Sequence, residues 1–259
     1  MHDAIERVAK PCLPRTIERV RLWNPDAVVV LGGGMNPDGE PSCATVQRGY
    51  LAGQLLDSLT PPPVIVLSGN GTSGHPHRLD ALDARCIRAR IVGEAEASPR
   101  ASNASRARAA RAASAVVEGQ VAAMTEAEAM CAVILQRTEP SRRDEAVARL
   151  RFENHAMSTE QNATLSRPFI AGGGFGRVLV LTSPVIKRFG RGIDLHADRA
   201  LDAFRTVRRD GRWALAGLGC PIFQGVSTWF DFEPVASMPE GMRSEQPAIA
   251  SRAAPRSRR

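Results

Sequence analysis

A doubly wound α/β fold on a mostly parallel sheet is what this sequence predicts, on three observations. Ala27 to Leu31, Val64 to Leu67 and Val178 to Leu181 are short apolar runs bounded by glycine or polar turns, the pattern of strands buried on both faces. A stretch of helical periodicity joins the first two, which makes a βαβ crossover. The chain has 259 residues, 43% of them apolar, enough for a substantial core in one large domain or two small ones.

Residues 1–25 read as a helical appendage in two short pieces, with Ile5, Val8, Ile17 and Val20 at helical spacing and Pro11 and Pro14 interrupting. The α/β domain is expected over 26–233. Its first strand ends at Gly32, Gly33 and Gly34, which lack a Cβ and let the chain turn sharply while a ligand approaches its amides. Ligands of open α/β sheets bind beyond the carboxyl ends of the strands, so this turn is a candidate wall of a site. The same glycines equally make a tight turn with no ligand. They are neither a spaced dinucleotide fingerprint nor a Walker loop.

Val46, Tyr50, Leu51, Leu55, Leu56 and Leu59 recur every three to four residues, predicting a helix from Ser42 to Leu59 that Pro61, Pro62 and Pro63 close. The second strand runs into SGNGTSGH, where Ser68, Gly69 and Asn70 open another glycine-rich turn. From about 75 to 120 alanine, arginine and serine dominate, an insertion expected to be partly helical and partly mobile, with His75 and His77 as loop residues.

Thr125 precedes a helix that buries Ala127, Met130, Cys131, Ile134 and Leu135, with Glu126 and Glu128 favouring its positive end. Ala148 to Glu153 gives a short strand. Ser158 with Gln161 three residues later is a capping-box pattern, starting a helix through Ala163, Leu165 and Phe169 that Gly172, Gly173 and Gly174 break. The third apolar run ends in Thr182 and Ser183. Asp194 to Arg208 is expected to be helical with Leu201, Phe204 and Val207 inward, and Trp213 to Leu218 supplies a last strand. A disordered basic tail is expected over 234–259.

The formal charge of +7 comes largely from arginines of the insertion and the tail, without interleaved aromatics, which argues against nucleic acid as a partner. Cys12, Cys43, Cys86, Cys131 and Cys220 are odd in number and include no C-x-x-C, so reduced, mostly buried thiols and no metal site are expected. No apolar run approaches the roughly 20 residues of a membrane span, and MHDAIERVAK lacks the order of a secretory leader, so the expected location is cytoplasmic.

VVVLGGGMNPDG, VIVLSGN, TEAEAM, FENHAMSTEQNA, VLVLTS and HADRALDAF, in this order between Asp26 and Gly211, resemble the YdcF-like family. The resemblance implies a Rossmann-like three-layer fold and a site drawn from Gly32, Gly33, Gly34, Ser68, Gly69, Glu126, Glu128, Glu153, Thr159, Asn162, Thr182, Ser183, His196 and Arg199. Two departures stand out: PVIKRFGRGIDL lies between the Thr-Ser strand end and the histidine, and the segment near residue 100 is inserted. In this reading Arg199 offers a forked donor to an anion, His196 moves a proton near neutral pH, and Glu153 orients it or acts as base. Glu126, Glu128, Thr159 and Asn162 equally serve helix starts.

The expectation is a protein that binds a nucleotide-like or phosphorylated small molecule at the strand ends, with transfer or hydrolysis as its chemistry and S-adenosylmethionine as the candidate cofactor. A non-catalytic binding module and a cell-envelope factor are the alternatives. The expectation requires the triple-glycine turn and the His196/Arg199 pair to border one cleft.

Overall fold

The computed structural model describes residues 14–71, 76–97, 102–182, 186–189, 192–207, 213–219 and 228–231, with the backbone alone for 14–15, 97, 186–189, 192–198, 201, 218–219 and 228–231. The first apolar run becomes β1 (Ala27–Leu31), all five residues buried, and it is the strand about which the sheet reverses. On one side β2 (Val64–Ser68) and then β5 (Leu150–Glu153), which follows the short helix α6 (Arg143–Arg149), are added in parallel. On the other come β6 (Arg177–Thr182) and β9 (Ala214–Gly219), also parallel. β10 (Thr228–Asp231) closes the far edge antiparallel to β9, so the six-stranded order is β10-β9-β6-β1-β2-β5.

Register places the functional edge. Leu31 lies opposite Ser68, and Ser68 opposite Glu153, so the turns after β1, β2 and β5 leave the sheet side by side. That alignment brings residues far apart in sequence to one rim.

Helices cover both faces. α1 (Pro14–Trp23) and α2 (Cys43–Ser58) share one layer with α3 (Ala81–Ala97) and α5 (Glu126–Arg137), while α7 (Thr159–Gly173) and α8 (His196–Val207) pack on the other. α5 is buried from Glu126 to Leu135 because α2 and α3 flank it against the sheet. The side chains expected to face inward from α5 are all fully buried, as is Phe204 of α8. Ser158 caps α7 by accepting from the Gln161 amide at 3.2 Å, and Gly174, in the left-handed region, ends it.

α1 buries Ile17, Val20 and Trp23 in the common core, while residues 1–13 lie outside the described residues, as does the tail from 232 onward. In the insertion, α3 and α4 (Asn103–Ser114) are helical. α3 contributes Cys86 and Ile87 to the core against α5 and β5. β3 (His77–Arg78) pairs with β4 (Val121–Ala122), so His77 belongs to a short strand and not to a loop; His75 lies outside the described residues. β7 (Ile186–Phe189) and β8 (Gly192–Leu195) form a hairpin between β6 and α8.

The cysteine expectation needs correction. Cys86 and Cys131, 45 residues apart in sequence, form a disulfide between α3 and α5. The physical reason is the packing of those two helices side by side, which no local spacing reveals. Cys43 is a free, exposed thiol. Among the described residues no helix is long and apolar enough to cross a membrane.

Candidate functional site

The glycine turn is folded down onto the start of α2. Gly33 O accepts from Ser42 Oγ at 2.9 Å, and Gly34 O accepts from Thr45 Oγ1 at 2.7 Å. Ser42 also caps the Thr45 amide. A Cβ on Gly33 would stand 2.6 Å from that amide nitrogen, so a side chain there would push the turn off the helix.

Opposite the turn, the start of α5 divides labour between its two acids. Glu128 closes a capping box with Thr125, accepting from the Thr125 amide at 2.7 Å, and its other oxygen meets Arg90 Nε at 2.5 Å. Its carboxylate is thus fully committed to structure. Glu126 instead points between the strand turns, where Gly32, Gly69 and Gly71 crowd its carboxyl group so closely that a Cβ on any of them would overlap it. Burial pushes the Glu126 carboxyl above its ordinary value, while the nearby Arg48 guanidinium and the Gly34 amide pull the other way.

Arg48 is a buried cation, 3% exposed, with Nη1 donating to Leu31 O at 2.7 Å and to Gly32 O. Its charge therefore sits beneath the glycine turn at the carboxyl end of β1.

The third wall hangs on Glu153. Ser68 Oγ donates to Glu153 Oε2 at 2.6 Å, and Glu153 Oε1 accepts from the His155 and Ala156 amides at 2.7 and 3.1 Å. Asn162 Oδ1 lies 2.8 Å from Ser68 Oγ on the other side. The Asn70 amide donates to Ala156 O at 2.9 Å, and Gln161 Oε1 accepts from the Met157 amide at 2.6 Å. These bonds fix the turn leading into α7.

Between the walls lies a cleft of about 310 Å³. Of the residues singled out from sequence, Gly32, Gly33, Glu126, Thr159 and Asn162 line it. Gly34, Ser68, Gly69, Asn70 and Glu153 belong to the turns and the bonded network that build its walls. Thr182 ends β6, buried in the row beyond β1. Arg199 projects from α8, half exposed, 3.3 Å from Glu160 in the first turn of α7. Ser183 lies outside the described residues; His196 begins α8, its side chain likewise outside them.

Sequence reasoning passed over Arg48 and Met157, both of which line the cleft beside Gly71 of the second glycine-rich turn. The available signal for Arg48 was its place one helical turn after Ala44, on the side of α2 that the glycine turn must cover. Among the described residues no group of histidine, cysteine and carboxylate side chains is arranged to hold a metal ion.

The cleft thus joins a buried carboxyl, a buried guanidinium and the N-terminal turns of α2, α5 and α7, whose backbone amides favour negative charge. No family model, no curated protein and no solved structure matches this chain.

Proposed function

We propose that this chain is a YdcF-like protein whose cleft binds a nucleotide-like or phosphorylated small molecule and that Glu126 is the group that exchanges a proton with it. The observation that carries the reading is Glu126 itself. A carboxyl group held in a cradle of three glycines, raised in pKa by burial and open to a cleft is placed to exchange a proton with a bound ligand. The positive end of the α7 dipole favours an anionic group of the ligand, and Asn162 and Thr159 offer neutral polar side chains beside it. Arg48 holds the glycine turn by its carbonyls and offsets ionised Glu126. Glu153, with both oxygens bonded, positions the wall.

A thermal-shift screen of nucleotides, sugar phosphates, S-adenosylmethionine and inorganic phosphate tests binding, because a ligand at a hundred times its dissociation constant stabilises by about 2.7 kcal/mol. The expected result is a shift with at least one phosphorylated compound that is reduced in Asn162→Ala. Mass spectrometry after incubation then separates an enzyme from a binding module. A changed compound with wild type and not with Glu126→Gln supports proton transfer; an unchanged one leaves binding alone. No shift with any member of the panel refutes the reading.

A further inference from the structure

The start of α5 is tied to the end of β5 by a closed ring of hydrogen bonds that runs through α3. Arg90 Nε donates to Glu128 Oε1 at 2.5 Å, and Arg90 Nη1 donates to Glu94 Oε2, one turn further along α3, at 3.2 Å. Glu94 Oε1 accepts from Asn154 Nδ2 at 3.0 Å, and Asn154 Oδ1 accepts from Thr125 Oγ1 at 2.9 Å. The Thr125 amide donates to Glu128 Oε2 at 2.7 Å, which closes the ring. A donor faces an acceptor at every link, and that order fixes which end of the Asn154 amide meets which neighbour.

The ring encloses the elements that carry the acids of the cleft. Thr125 and Glu128 bracket Glu126 in sequence, and Asn154 follows Glu153. Glu128 is 2% exposed and Asn154 7%, so their polar atoms have little water to turn to if a link is lost. Two carboxylates share the Arg90 guanidinium, whose planar fork meets both at once. Without it the buried Glu128 carboxylate has no positive partner in the ring, which favours opening.

We infer that Arg90 is a positioning residue for the cleft: through this ring α3 holds the backbone around Glu126 at a fixed place beside the end of β5. The inference rests on the proposed role of Glu126. It gives the alanine- and arginine-rich stretch a task at the site, although none of the residues lining the cleft belongs to α3. The Cys86–Cys131 disulfide joins the same two helices further from Glu126 and includes neither Thr125 nor Asn154.

The test follows the Glu126 carboxyl by carbon NMR in protein labelled at the glutamate carboxyls, its signal assigned with Glu126→Gln. Opening the ring admits water to the carboxyl, so its pKa should fall by about one pH unit toward the ordinary value in Arg90→Ala and in Asn154→Ala. Loss of the Arg90 charge alone would raise that pKa, so a fall in Arg90→Ala reports position and not charge. The control replaces Cys86 and Cys131 by alanine, which loosens α3 from α5 elsewhere and should leave the Glu126 titration unchanged. A fall in all three variants means general loosening, and no fall in Arg90→Ala or in Asn154→Ala means that the ring does not hold the site; either overturns the inference. A wild-type Glu126 that titrates at its ordinary value removes the proposed role of Glu126 and the inference with it. Circular dichroism establishes folding; should Arg90→Ala not fold, Asn154→Ala against the cysteine variant decides.

Discussion

The Glu126 carboxylate takes the volume that a side chain on Gly32 would need. Gly32 is therefore glycine because of a residue far along the chain, and its replacement acts on Glu126 first. Gly32→Ala is expected to drive the carboxyl out of its cradle, cost about 1–3 kcal/mol through overpacking, and lower ligand affinity more than about tenfold. Gly172→Ala is the control. Nothing lies within 4 Å of a Cβ there and the position is helical, so a gain of up to about 1 kcal/mol is expected. Urea unfolding of both variants measures the contrast.

Glu126 also predicts a pH dependence. Its folded-state pKa lies above the ordinary value of 4.5, so between 4.5 and the raised value the native state binds more protons than the unfolded chain. Stability contributed by this group is complete below 4.5 and is lost as pH rises through the folded pKa. The melting temperature of wild type relative to Glu126→Gln should therefore fall with rising pH over that window. A gap that stays constant or widens in favour of wild type would show that the carboxyl is not raised.

Glu153 separates positioning from proton transfer. Glu153→Ala leaves the His155 and Ala156 amides without their acceptor while Ser68 Oγ keeps only Asn162, and a loss of about 2–4 kcal/mol is expected. Glu153→Gln retains an oxygen for both amides and turns its NH2 to Ser68, whose hydroxyl then donates to Asn162, so its melting temperature should stay near that of wild type. If turnover is found, Gln at 153 should keep its pH profile while Gln at 126 abolishes it. A Glu153→Gln variant as inactive as Glu153→Ala would return the proton to Glu153.

The sheet strands β1, β2, β5, β6 and β9 and the helices α2, α5 and α7 were legible because their information is local, whereas β3, β4, β7, β8 and β10 carry no such apolar run. Ala27 to Leu31 reads as buried on both faces and is so, and Ser42 and Ser158 mark helix starts by their own side chains. Glycine near a strand end reads as an approach point, but the sequence does not say what approaches; at Gly32 it is Glu126. Arg48 was illegible for the opposite reason. A lone arginine on a helix reads as solvent-facing, and only the carbonyls of Leu31 and Gly32, supplied by another element, make its burial tolerable. α3 lacked a clear pattern because alanine and arginine fill its surface, although Cys86 and Ile87 anchor it.

The disulfide gives the last prediction. Cys86 and Cys131 are fully buried and tie α3 to α5, which also meet through Arg90 and Glu128. Closing a loop of 45 residues restricts the unfolded chain by an amount worth about 4 kcal/mol in the loop-entropy model. Replacing both cysteines by alanine should lower the urea midpoint correspondingly, and reduction of the wild type should approach the same value. Cys43→Ala, at an exposed thiol, should leave it unchanged. Cys131 lies more than one turn along α5 from Glu126, so ligand affinity well below the unfolding midpoint should hold in the double variant. A midpoint indifferent to both substitution and reductant would mean that the two sulfurs are not joined in solution.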